Sequence, residues 1–442
     1  MLPNCRYLHK YLKCNNLHPA MFKLKIKIIL GKMSVRLQDR VRICVPIPEP
    51  MEEASPISSK MLVDSYPKED IKKLGKPPIN THVLLKLLKD YPKTIDKNIL
   101  VNGFINGFYV GYEGPRLPIN CNDSVSVYKY EAQLEEKLIK ELKLVRIAGP
   151  FSYRPFINLR LSLISLIEKK SGGYRLIHNL SYPFGDSVNS HIDQENSTVQ
   201  YTSFDKVLET ISKCGPCSLM GRMDVSSAFR LLILNPSDFE LFGFKFRDQF
   251  FFDKCLPMGC SASCHLFEKI ATFIEWLVRK RTKNINIEHY LDDFFFVGRA
   301  YFSECDKLMT NFRLTCEEMG IPVAGEKTLG PATVLVFLGL EIDTTLMVVR
   351  VPIEKLIEAK EKLLVIFRSE KVTLKMLQSL TGLLNKIPSV RAFNRRFCDA
   401  MCGVKKPDYF IRVSVGMKDN ISMWLKFLDN FNGTCKFGKN YG

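Results

Sequence analysis

Glu288-His-Tyr-Leu-Asp-Asp-Phe-Phe-Phe296 sets two adjacent carboxylates, Asp292 and Asp293, between Tyr290-Leu291 and three consecutive phenylalanines. Those flanks favour burial, so the acidic pair is driven to the edge of a core, at a strand–turn–strand covering 287–297. A second apolar strand, 218–224, ends in another carboxylate within Arg222-Met-Asp-Val-Ser-Ser-Ala-Phe229. Three carboxylates on two strand ends suit phosphoryl transfer assisted by two Mg2+ ions. Such ions sit roughly 3.5–4 Å apart and stabilise both the attacking and the leaving oxygen; Mg2+ prefers hard oxygen ligands. The plainer alternative makes Asp224 the cap of a helix starting at Val225 and the acidic pair a simple turn. It fits each half alone better than both halves with their apolar flanks.

Working outward, residues 150–350 alternate strands and helices. Strands at 162–168 and 174–179 read as a hairpin joined by Lys169-Lys-Ser-Gly-Gly173. Another strand is expected at 249–254, and a single late strand at 335–343. A long helix over 261–281 carries Leu266, Ile270, Phe273 and Leu277 on one face. A shorter helix is expected over 204–213. Residues 128–145 form an amphipathic helix with Leu134, Leu138 and Leu142 at four-residue spacing. Beyond Pro352 the pattern is helical, at 353–369 and 374–386, followed by the basic cluster Arg391, Arg395 and Arg396. Residues 61–120 mix short apolar runs with turn signals and disclose no role.

Composition narrows the class. The chain has 442 residues, 46% hydrophobic and 25% charged, enough to bury a sizeable core and unlike a disordered tail. Its net charge of +18 suggests a polyanionic partner, because Lys and Arg release counterions from phosphates; an ordinary basic protein has the same composition. Residues 1–48 carry ten Lys or Arg against the single acid Asp39, half of that charge. With Pro46, Pro48, Pro50 and Pro56, residues 1–60 read as a basic flexible arm or linker. No 18-residue apolar run is present, so no membrane span is expected. Fourteen Cys without a secretory signal read as reduced thiols of an intracellular protein. Cys214-Gly-Pro-Cys217 has the letters of a thioredoxin motif, but its helix precedes and its strand follows, the reverse of the required order. It reads as a turn. Cys255, Cys260, Cys264 and His265 match no common zinc spacing.

With its segments in this order the chain resembles reverse transcriptases. Asp224 with Phe229 is similar to the first palm motif, Leu256-Pro-Met-Gly-Cys-Ser-Ala-Ser263 to the second and Tyr290-Leu-Asp-Asp293 to the third. Gly320-Ile-Pro-Val-Ala-Gly-Glu-Lys327 resembles the fourth and Phe337-Leu-Gly-Leu-Glu-Ile342 the fifth. Lys169, Lys170 and Tyr174-Arg175-Leu-Ile177 resemble the fingers hairpin. One class is closer still. Arg146-Ile-Ala-Gly-Pro-Phe151, Arg175-Leu-Ile-His-Asn-Leu-Ser-Tyr-Pro183, Ser187-Val-Asn189 and His289-Tyr-Leu-Asp-Asp-Phe294 look like DIRS-type retrotransposons, which integrate with a tyrosine recombinase. The resemblance covers about residues 130–432.

The resemblance implies an α+β right-hand polymerase fold: fingers and a palm with a small antiparallel sheet over 128–351, then a helical thumb and connection over 352–404. The arm 1–60, an extension of unknown role at 61–127, and a C-terminal segment 405–442 flank these. The implied activity is RNA-directed DNA polymerisation, with RNA template, DNA primer and dNTP as partners and two Mg2+ ions as cofactors. Asp224 and Asp292 would ligate both metals, the Val225 carbonyl would assist, and Asp293 would complete the cluster. Arg175 with Lys169 or Lys170 would hold the triphosphate. Phe229 would gate against a 2′-OH, and Met258 and Gly259 would shape the nucleotide floor. Lys327 would be the general acid for pyrophosphate, and Phe337, Leu338 and Gly339 would belong to the primer grip. The bland alternatives are core packing for Phe229 and a solvated side chain for Lys327.

In DIRS-type elements an RNase H domain follows. Here 35 residues follow Pro407, with Asp408, Asp419 and Asp429 but no Glu, so a fragment or a truncated copy is expected. Two rival functions stay open: a catalytically silent nucleic-acid-binding relic, and an RNA-dependent RNA polymerase. The latter usually has a small or polar residue where Phe229 stands.

Overall fold

A computed structural model describes residues 71–121, 125–169, 172–385, 395–404 and 409–438. The basic arm, Lys170 and Arg391 lie outside the described residues. Helices Thr81–Leu88 (α1) and Thr94–Asn106 (α2) come first. Asn80 caps α1 by accepting a hydrogen bond from the Val83 amide, one of the donors a helix start leaves unpaired. Leu84, Leu88, Leu100 and Phe104 are buried in one core with Phe267, Ile270 and Phe273, far along the chain. The segment whose role the sequence hides is therefore a wall of that core.

Next come Glu131–Lys143 (α3), Ile147–Phe151 (β1), Leu163–Glu168 (β2) and Tyr174–Asn179 (β3). The four-residue spacing of Leu134 and Leu138 puts both on one helical face, buried with Ile164, Leu166 and Phe251 in a small separate core. The expected hairpin is present: β2 and β3 pair antiparallel from Leu163 opposite Asn179 to Glu168 opposite Tyr174.

The central elements are Phe204–Cys214 (α4), Leu219–Asp224 (β4), Gly243–Phe246 (β5), Gln249–Asp253 (β6), Ala262–Thr282 (α5), Ile287–Tyr290 (β7), Asp293–Gly298 (β8), Glu304–Glu318 (α6) and Leu329–Ala332 (β9). A four-stranded antiparallel sheet runs β7-β8-β4-β9, and β1-β6-β5 make a separate three-stranded sheet. Strand β8 is buried throughout. Successive side chains of a strand point to opposite faces. Phe294 and Phe296 accordingly meet Phe312 of α6, while Phe295 meets Phe337 in a second core. The triple phenylalanine is thus a strand covered on both sides.

The elements that follow include Val334–Phe337 (β10), Leu340–Asp343 (β11), Val348–Arg350 (β12), Ile353–Arg368 (α7), Lys371–Thr373 (β13), Leu374–Leu384 (α8), Phe410–Arg412 (β14), Val415–Asn430 (α9) and Thr434–Lys436 (β15). The single strand expected over 335–343 is instead two strands. The chain folds back at Leu338 and Gly339, with φ of 49° and 77°, as a two-residue hairpin turn demands. Leu338 has no turn chemistry, so an apolar run concealed the bend. Strand β15 returns to pair with β12, and Trp424 of α9 is buried with Leu363 and Leu377. Residues 409–438 thus complete the sheet and helices of the second core. Among the described residues no helix is long and apolar enough to cross a membrane.

If α2 is part of the main core, Phe104→Ala should cost about 3–5 kcal/mol. Urea unfolding followed by far-UV circular dichroism measures it. A loss under about 1 kcal/mol would show that α2 is peripheral.

Candidate active site

The register of β4, β8 and β7 assembles the carboxylates. Asp224 stands opposite Asp293, and Tyr290 opposite Asp293 on the other side. Leu291, at φ 54°, and Asp292 make the turn between β7 and β8. The Val225 amide donates to the Asp292 carbonyl at 2.8 Å, stitching the tip of this hairpin to the end of β4. Asp224 and Asp293 are buried.

Two cations answer them. Arg222 Nε donates to Asp293 Oδ1 at 2.6 Å, and Lys327 Nζ to Asp224 Oδ1 at 2.8 Å. Burial pushes the Asp293 carboxyl up to about 6; Arg222 opposes this, while Asp224 and Asp292 add to it. Burial also raises Asp292, with Asp224 adding, against the backbone amide, Lys327 and Arg175. In both carboxyls burial is the first cause, and the neighbouring carboxylates add to it.

A cationic side faces it. Arg175 sits on β3 opposite Ile167, two residues from Lys169. Burial, then the nearby charges of Lys137, Arg175, Lys327 and Lys140, hold the Lys169 ammonium below its usual range. Among the described residues neither Lys169 nor Arg175 has an acidic partner within ion-pair distance. Like charges gathered without counter-charge make an anion site.

Between them lies the loop before α5. The His178 amide donates to the Met258 carbonyl at 2.9 Å. Gly259 has φ 118°, and a Cβ there would lie 1.8 Å from the His178 carbonyl oxygen, so no other residue fits. Asn189 Nδ2 donates to the Gly259 carbonyl at 2.7 Å, and its Oδ1 accepts from the Ser261 amide at 2.9 Å. Phe229 is partly buried, its ring edge-on to Phe267 with centroids 6.0 Å apart. Phe337 is fully buried on Phe295, so the β10–β11 hairpin presents Leu338 and Gly339 instead.

Arg222, His178 and Asn189 have no role legible in the sequence motifs that contain them. Only Arg222 carries a local signal, two residues before Asp224 and hence on the same strand face.

Among the described residues no three Asp, Glu, His or Cys side chains converge closely enough to hold a metal ion. Lys327 and Arg222 occupy Asp224 and Asp293 instead. The donors nevertheless fit a hard divalent cation: they are carboxylate oxygens at a buried edge. The Lys327 side chain is 50% exposed and free to yield Asp224 to such an ion.

Paired carboxylates at a hairpin tip, on a small antiparallel sheet backed by helices and faced by a cationic hairpin, belong to a right-hand polymerase fold. Residues 167–342 match the family model described as "Reverse transcriptase (RNA-dependent DNA polymerase)", and this segment is a reverse transcriptase domain. Among solved structures, the foamy viral protease-reverse transcriptase dRH in complex with ds DNA aligns at a TM-score of 0.53 and 16% identity, over 90% of this chain and 64% of that one. The foamy viral protease-reverse transcriptase in complex with RNA/DNA hybrid aligns at 0.50 and 15% identity, over 89% and 49%. At such identities the likeness is one of fold, an α+β right hand of fingers, palm and thumb. The chain spans less than two thirds of the length of these foamy viral chains. No curated protein matches it.

The β7–β8 hairpin is braced from behind. On β7, His289 Nδ1 pairs with Glu275, and Nε2 donates to Glu268 at 2.9 Å, both glutamates on α5. Arg279 pairs with Glu275 in turn, and Glu288 lies beside it. Burial pulls the imidazolium down, but Glu268 and Glu275 overcome it and hold its pKa at about 9. An unfolded His titrates near 6.5. A raised folded pKa stabilises fully below the unfolded value and is lost as pH rises through the folded one. Thermal stability should therefore decline from about pH 6.5 to 9, and His289→Asn should flatten that decline. Equal slopes in the two proteins would exclude His289 as its cause.

Proposed function

We propose that this chain is an RNA-directed DNA polymerase that adds deoxynucleotides to a primer 3′-OH on an RNA template. One observation carries the reading: Asp224 stands opposite Asp293 with Asp292 at the adjoining turn, beside Lys169, Arg175 and Lys327. The domain match and the fold support the same activity.

When bound, two Mg2+ ions held by Asp224, Asp292, Asp293 and the Val225 carbonyl would supply charge stabilisation to the attacking and leaving oxygens. The chain's own residues do the rest. Arg175, with Lys169 or Lys170, takes the triphosphate as fork and point charge. Met258 and Gly259 support the nucleotide, and Phe229 fills the volume a 2′-OH would need. The primer 3′-OH gives its proton to solvent as O3′ bonds to the α-phosphorus and the bond from that phosphorus to the pyrophosphate oxygen breaks. Lys327 Nζ gives the leaving group its proton. Leu338 and Gly339 meet the primer, with buried Phe337 as their anchor.

The foamy viral structures contain ds DNA and an RNA/DNA hybrid; a similar primer–template is proposed for this chain, in keeping with its +18 charge. Its closer affiliation is proposed to be DIRS-type, on the motifs at 146–151, 175–183, 187–189 and 289–294. Fingers and palm are assigned to 128–351 and the thumb and connection to 352–404. Intact carboxylates weigh against a silent relic, and Phe229 weighs against an RNA-dependent RNA polymerase.

Asp224→Asn or Asp292→Asn should reduce primer extension to background while leaving primer–template affinity and thermal stability intact. Near-wild-type extension by either variant would refute the metal assignment. Phe229→Ala should lower the deoxy-over-ribo ratio of kcat/KM by on the order of 100-fold, the scale of a 1 Å misplacement. Equal losses on both sugars would return Phe229 to packing.

A further inference from the structure

Arg230 follows Phe229 directly in the short helical turn Ala228–Leu231. Its side chain is 13% exposed and committed to three partners from distant segments. Nε and Nη2 donate to Glu141 Oε2 of α3 at 3.0 and 2.9 Å. Nη1 donates to Asp253 Oδ1, at the end of β6, at 2.5 Å and to the Cys255 carbonyl at 2.9 Å. Cys255 directly precedes the loop that carries Met258 and Gly259.

The chain of contacts continues. Asp253 Oδ2 meets His178 Nδ1 at 2.8 Å, and the His178 amide holds the Met258 carbonyl. Glu141, Asp253 and His178 are all buried. One line of buried polar groups therefore ties helix α3, the backbone bearing Phe229, and the loop beneath the nucleotide. Apolar side chains of equal volume would hold these segments together at least as strongly. What the ionic set adds is direction, because a guanidinium bonds in a plane and in a fork.

We propose that Arg230 is a positioning residue for sugar selection: it fixes the backbone of Phe229 relative to the floor at Met258 and Gly259. This rests on the polymerase reading above. Arg230 touches neither nucleotide nor primer. It acts through Phe229, by denying the gate the sub-ångström retreat that would admit a 2′-OH.

The test uses the full chain as wild type, Arg230→Lys and Glu141→Gln, each with Phe229 and with Phe229→Ala. The quantity measured is kcat/KM for a dNTP and its matching rNTP opposite one template base. Arg230→Lys keeps charge and loses the fork. It should lower the deoxy-over-ribo ratio about tenfold, the scale of a sub-ångström displacement. Glu141→Gln should lower it in the same direction by less. Neither should alter the ratio once Phe229 is Ala, since coupled residues are non-additive. A ratio unchanged in the Phe229 proteins, or shifted equally in both backgrounds, overturns the proposal. If Arg230→Lys does not fold, Glu141→Gln decides by the same criteria. A wild type that extends and discriminates, with insensitive variants, sinks this inference alone. A wild type that extends no deoxynucleotide sinks the polymerase reading and this inference with it.

Discussion

The antiparallel pairing of β4 with β8 is the constraint on which the rest depends. It sets Asp224 opposite Asp293 and brings the Asp292 turn beside the end of β4. Strand side chains alternate, so a slip of one residue would turn Phe294 and Phe296 away from α6 and carry Asp293 off its partner. Register and the placement of the carboxylates are therefore the same fact. The phenylalanines enforce it, because both faces of β8 have a core to fill, one with Phe312 and the other with Phe337.

That pairing carries an electrostatic penalty. Carboxylates at a buried edge repel one another, and burial raises Asp292 and Asp293 further. Arg222 and Lys327 relieve the repulsion only in part. Across from them Lys169 and Arg175 gather positive charge with no acid among the described residues to quench it. The metal-bound triphosphate proposed for this site would satisfy both halves together: its cations would answer the carboxylates and its phosphates the basic side chains. Neither half is well satisfied alone, which is the electrostatic signature of a site shaped for a charged ligand.

The supports around this centre serve position rather than affinity. His289 ties the hairpin to α5 through Glu268 and Glu275. Asn189 ties the loop before α5 to the chain following β3. Arg230 ties α3 to β6 and to that same loop. Each spans elements from different parts of the chain and uses directional bonds where apolar contact would have served cohesion alone.

The carboxylates, the β2–β3 hairpin and the strand of three phenylalanines were legible in the sequence because their signals are local. Residue type and two-residue alternation identify a strand and its edge without knowledge of what covers it. The bend at Leu338 was hidden because its residue has no turn preference, and only the second core and the pairing of β10 with β11 select it. Helices α1 and α2 read as fragments because their burial is supplied by α5. Arg230 looked like one basic residue among many, since Glu141 lies 89 positions away and nothing local distinguishes a paired guanidinium from a solvated one. The sequence by itself determined which groups could do chemistry and which strands would carry them. The tertiary structure alone decided which distant side chains hold those groups in place, because such contacts depend on spatial neighbours that no periodicity in the chain encodes.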